Sequence, residues 1–136
     1  MESGRSYMLI VSVVLGGLAA LVHIYIFVIE SILWDRPSTR RTFGVRSDEQ
    51  AAHTRQLAFN QGFYNLFLAI MTIVGGVFLL QGNIGAGAAL FLAGTGSMAV
   101  AGLILMISAP NMLRAALIQL VLPALAAGWC IIYLRS

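Results

Sequence analysis

The sequence contains no lysine, and its eight basic residues are all arginine. Only 10% of the chain is charged, against about 25% in a soluble globular domain. A surface facing water on all sides is therefore excluded. The net charge of +3 rests on arginines that are few and sit mostly near the ends of the apolar segments, which argues against a nucleic-acid-binding face. One cysteine, Cys130, excludes an internal disulfide. One cysteine with two histidines also gives no zinc-type spacing. Phosphate loops, nucleophile elbows, haem motifs and metal motifs are all missing. Neither a cofactor nor a metal is expected.

What fills the chain instead is apolar, at 60% of 136 residues. A hydrocarbon core of about 30 Å needs about 20 helical residues. Four segments qualify: about 7–33, 57–80, 84–107 and 112–134. The expected fold class is thus all-α, a polytopic membrane protein with a single four-transmembrane-helix domain over residues 1–136. The first apolar segment is longer than the ~7–15-residue h-region of a signal peptide and carries Glu30, so it reads as a retained span. Pro37, Gly82 and Pro110 punctuate the connections.

The sizeable polar region is residues 35–56. Its start, "DRPSTRRTFG", reads as a loop. Ser47-Asp48-Glu49-Gln50 then forms a capping box, which starts the second helix near Asp48 in water. Arg36, Arg40, Arg41, Arg46 and Arg55 lie in this connection, and Arg114 lies at the same end. Arg5 and Arg135 stand opposite. The positive-inside rule puts loop 35–56 in the cytoplasm and both termini outside. His53 reads as a headgroup-level residue and Cys130 as apolar filler.

"LVHIYIFVIESILW", residues 21–34, holds two ionisable groups in an apolar helix. His23 and Glu30 are seven apart and so share a helical face with Phe27 and Trp34. Trp34 reads as an interface anchor. At about 1.5 Å per residue, Glu30 lies about 6 Å inward of Trp34 and His23 about 16 Å. On the second helix Asn60 and Gln61 fall about 8–9 Å inward of Arg55, and Asn65 about 15 Å. Glu30 is then level with Asn60 and Gln61, and His23 with Asn65. Tyr64 shares a face with Asn60, and Gln119 of the fourth helix reaches the depth of Glu30.

Polar groups in lipid cost several kcal/mol when unsatisfied, so these should cluster. The candidate ligand-binding residues are His23, Glu30, Trp34, Asn60, Gln61, Tyr64, Asn65 and Gln119. The occupant would be a small hydrophobic molecule or a membrane lipid. If the protein is an enzyme, Glu30 and His23 are the catalytic acid–base pair. If it is an accessory subunit, the cluster is structural, and Glu30 pairs with loop arginines or with amides. A transporter acting alone is disfavoured, because four continuous spans give little to rock. Gly85, Ala89, Ala93, Ser97 and Ala101 recur every four residues on the third helix, with Gly94 and Gly102 on a neighbouring face. Such a stripe allows close helix approach, in internal packing first or in a homo-oligomer seam.

Through His23, Phe27, Glu30, Trp34, Phe43-Gly44, Asn60-Gln61-Gly62 and Tyr64-Asn65, the chain resembles a family of small bacterial and fungal membrane proteins known as domain of unknown function 1304. The resemblance implies four spans and assigns no activity. A weaker similarity is to the microsomal glutathione transferase (MAPEG) superfamily, four-span bundles that form trimers. Arg55, Asn60 and Gln61 echo the second helix of that superfamily. The acidic residue expected there is missing and the spacing differs, so the likeness is an analogy only.

Overall fold

The computed structural model describes residues 2–136, with side chains from Ser3 onward. Helix α1 spans Glu2–Phe27 and continues as a π-helical turn over Val28–Ile32. A short helix α2 covers Pro37–Thr42. Helices α3 (Asp48–Leu80) and α4 (Ile84–Ser108) follow. A 3₁₀ turn, Pro110–Met112, leads into α5 (Leu113–Arg135). Among the described residues there is no strand. The four long helices are each long and apolar enough to cross a membrane.

The long helices run up and down in a ring. Each packs on its sequence neighbour, α5 closes against α1, and the diagonal pair α1 and α4 barely touches. Arg5 lies over the ring of Tyr133, 5.2 Å from its centroid, and ties the start of α1 to the end of α5. The arginine-rich loop lies at the other end.

What faces inward is small. On α3 the inner seam reads Ala58, Gly62, Asn65, Ala69, Thr72 and Gly76, alternating steps of four and three. All but the half-buried Asn65 are fully buried. Leu57, Phe59, Tyr64, Phe67 and Ile70 point outward. In lipid, large aliphatic side chains lose nothing by facing out, and small ones let backbones approach. The arrangement is the inverse of a soluble helix. At the end away from the loop, Leu79, Phe91, Ala126, Cys130 and Tyr133 form a packed core. A second cluster, Ala19, Ala20, Ala69 and Met98, follows toward the middle.

Three sequence expectations need correction. The "DRPSTRRTFG" stretch is not wholly loop. Pro37 supplies the fixed φ that starts a helix, Arg36 before it is extended (φ −72°, ψ 135°), and α2 results. It stops before Gly44, at φ +68°, where a Cβ would be strained. Second, the Gly85–Ala101 stripe does not pack inside the bundle. All five residues are exposed, and Gly87, Gly94 and Gly102 make the close approaches instead. Third, Trp34, read as an interface anchor, is turned into the protein. It is 7% exposed, and its Nε1–H donates to the carbonyl of Ala51 at 3.0 Å.

The capping box forms with one change. Ser47 Oγ accepts from the Gln50 N–H at 3.1 Å. The Gln50 side chain reaches back to the N–H of Arg46 rather than Ser47, at 2.9 Å. Helix α3 therefore begins at Asp48. Its 33 residues span about 50 Å, so it extends well beyond a hydrocarbon core of about 30 Å.

Candidate functional site

The packing that fills the far end of the bundle gives way to a cavity of about 770 Å³ at the loop end. All four long helices line it, and Thr42 and Phe43 at the end of α2 cover it. Its polar wall is Glu30, Gln61, Asn65, Ser108 and Gln119. Leu21 and Tyr25 also line it and are 62% and 63% exposed. Residues so exposed cannot sit in a sealed chamber, so the cavity opens sideways from the bundle.

Glu30 sits inside the π turn. The Leu33 N–H bonds the carbonyl of Val28, five residues back, at 2.9 Å. Such turns are rare and are frequent at functional sites. The turn is wedged against α3. The Phe27 carbonyl and the Ser31 N lie 3.1 Å from where a Cβ of Gly62 would be. Ser31 Oγ donates to the Phe59 carbonyl at 2.8 Å. Gly62 is thus required by close approach, and it sets the distance between Glu30 and α3.

Asn65 then donates through Nδ2 to Glu30 Oε2 at 3.1 Å, and the same nitrogen lies 3.0 Å from the Gln61 carbonyl. Depth counting placed Glu30 level with Asn60. The neighbouring contacts Ser31–Phe59 and Phe27–Phe63 fit that level. The face was misjudged. Asn60 and Tyr64 share a face, as expected, but both are exposed and neither lines a cavity. Asn65 lies on the inner seam and reaches Glu30 from one turn deeper.

His23 is also not where the stripe argument put it. It is 1% exposed, and its Nδ1–H donates to the Ala19 carbonyl of its own helix at 2.9 Å. Among the described residues its buried Nε2 has no partner. It lines neither cavity and does not bond Glu30 or Asn65. The inner seam of α1 runs through Ser12, Gly16, Ala19, His23, Ile26 and Ile29, and so passes Glu30 by one residue.

The loop arginines do not reach Glu30. Arg40 pairs with Asp48 and lies 3.7 Å from Asp35, and Arg55 pairs with Asp35 at 3.0 Å. Among the described residues Glu30 has no ion pair. A second cavity, about 480 Å³, lies on the other side of Glu30, with Trp34, Asp35, Arg55 and Gln56 in its wall. Glu30 thus separates two spaces.

Sequence reasoning missed Thr42, Phe43 and Ser108. Phe43 was part of a quoted motif, and its ring packs on Trp34 at 5.5 Å between centroids. The inner seam of α3 was readable from its small residues, and it singles out Asn65.

The family described as "Protein of unknown function (DUF1304)" matches the chain over residues 17–131. The chain belongs to that family. No curated protein and no solved structure matches it. The matched segment contains Glu30, Asn65, Gln119 and every other residue that lines the large cavity.

Proposed function

We propose that this multi-pass membrane protein binds a small, largely hydrophobic molecule or lipid in the large cavity. One observation carries the reading: a 770 Å³ space with an apolar lining and a few convergent polar groups. Small-molecule sites of about 300–1,000 Å³ have this composition. The sideways opening suits a molecule that arrives from the bilayer. Glu30, Gln61, Asn65 and Gln119 orient it. Native mass spectrometry of the purified protein should show a bound species beyond the annular lipids, in molar ratio with the chain. A bare chain under gentle activation, with no species enriched in its extract, would overturn the reading.

The location is a bacterial plasma membrane, with the cavity in the cytoplasmic half. Six arginines at the loop end against two at the other support this orientation. Cys130 is buried, so introduced thiols report cleanly. On intact cells an impermeant maleimide should label Ser136→Cys and leave Ser38→Cys unlabelled until the cells are lysed. The opposite pattern reverses the orientation. A homo-oligomer would use the outward stripe Gly85, Ala89, Ala93, Ser97 and Ala101, which allows a second copy to approach closely. The same native spectra report it.

A further inference from the structure

We infer that the ligand of the large cavity is a lipophilic organic cation, its positive centre held against Glu30. This rests on the reading of that cavity as a ligand site and names the chemistry of what enters it.

The charge inventory is one-sided. The cavity wall contains one carboxyl group, Glu30, and no arginine, lysine or histidine. Of the basic residues at this end, Arg40 is engaged by Asp48 and Arg55 by Asp35, and Arg36, Arg41, Arg46 and Arg114 line neither cavity. The cavity behind Glu30 adds no net charge, because its Asp35 and Arg55 pair with each other at 3.0 Å. Among the described residues the sole side-chain partner of Glu30 is the neutral amide of Asn65, on Oε2. Glu30 is half-buried, and a carboxyl group so placed without a counter-charge is neutralised by taking up a proton. The cavity wall supplies no counter-charge, so a cationic ligand is the partner that displaces this proton to water and pairs with the carboxylate.

The rest of the wall suits the same class. Tyr25 and Phe43 present aromatic rings, whose faces attract organic cations. Gln61, Asn65 and Gln119 carry carbonyl oxygens that accept from an ammonium or face its positive centre. Pro123 has no N–H to give the main-chain carbonyl of Gln119, four residues back. The apolar remainder and the exposed lip at Leu21 and Tyr25 require a ligand that partitions into a bilayer. A lipid anion holds Glu30 in its protonated form, because like charges repel. A neutral hydrocarbon makes no use of the carboxyl group.

Two hydrophobic ions of nearly equal shape and opposite charge test this. The full chain is placed in phosphatidylcholine nanodiscs, with empty discs as blank, and equilibrated with tetraphenylphosphonium or tetraphenylborate. The expected result is retention of the cation over the anion by roughly tenfold or more. Glu30→Gln should remove that preference while leaving shape and hydrogen bonding in place. Gln119→Lys, which supplies a counter-charge from α5, should remove it independently, so the test survives a Glu30 variant that fails to fold. Equal retention of both ions by the wild type overturns the charge selection and leaves the ligand site standing. Cation retention unchanged in both variants also overturns it. Retention of neither ion overturns it too. If native spectra then show no bound molecule, the ligand site falls with it.

Discussion

Replacing Gly75 by alanine should destabilise the bundle by about 1–3 kcal/mol, the cost of overpacking a tight core. The added Cβ would lie 2.7 Å from the Cα and 2.9 Å from the Cβ of Phe91. Those are main-chain and near-main-chain atoms, so no flexible side chain can swing aside. Phe91 cannot retreat either. It is 1% exposed, and its ring also fills the space left by Gly16 on α1 and Gly76 on α3. The contact therefore holds three helices at once. Gly128→Ala is the matched control. It lies exposed in the interior of α5 with nothing within 4 Å of its would-be Cβ. There alanine improves helix propensity by roughly 0.5–1 kcal/mol and collides with nothing. Thermal unfolding in detergent, followed by size-exclusion of the surviving species, should separate the two variants in opposite directions. Equal midpoints would mean that α3 and α4 do not approach through Gly75.

This pair also shows which features of the chain are legible without coordinates. The four long helices are, because apolar runs bounded by Pro37, Gly82 and Pro110 leave little else to form. Depth is legible too, because a helix rises a fixed distance per residue. Counting from Trp34 and Arg55 placed Glu30 level with Asn60, and the Ser31–Phe59 contact agrees; the same count set Asn65 level with His23, and there it is Glu30 that Asn65 reaches. Direction around the axis was the harder quantity. The count treated His23 and Glu30 as stacked, but the buried seam continues from His23 through Ile26 to Ile29, and Glu30 stands in a π turn. On α3, polarity drew attention to Asn60 and Tyr64. Residue size is the better guide in lipid, and Ala58, Gly62, Ala69 and Thr72 mark Asn65 as the inward amide. The roof at Thr42 and Phe43 was illegible for another reason. Helix α2 has six residues, too few for a periodic pattern.

Ala115→Trp should cut ligand retention about tenfold while leaving the fold intact. Ala115 lines the cavity from α5 and is only half-buried, so an indole there enters open space. The contrast with Gly75 is physical. At Gly75 a single methyl group meets backbone, whereas at Ala115 a whole ring replaces whatever lipid or ligand occupied the cavity. Stability should stay within about 0.5 kcal/mol of the wild type, as for substitutions away from packed features. Occupancy of the co-purified molecule in native spectra should fall about tenfold, the loss that about 1.4 kcal/mol of steric conflict produces. Ala124→Trp, on an exposed position of the same helix that lines neither cavity, should leave occupancy unchanged. Glu30 and Asn65 remain in place in both variants, so a loss at Ala115 alone locates the ligand by volume rather than by charge. Retention of the molecule in Ala115→Trp would move the binding site out of this cavity. A fall in stability matching that of Gly75→Ala would mean that the space beside Ala115 is closed.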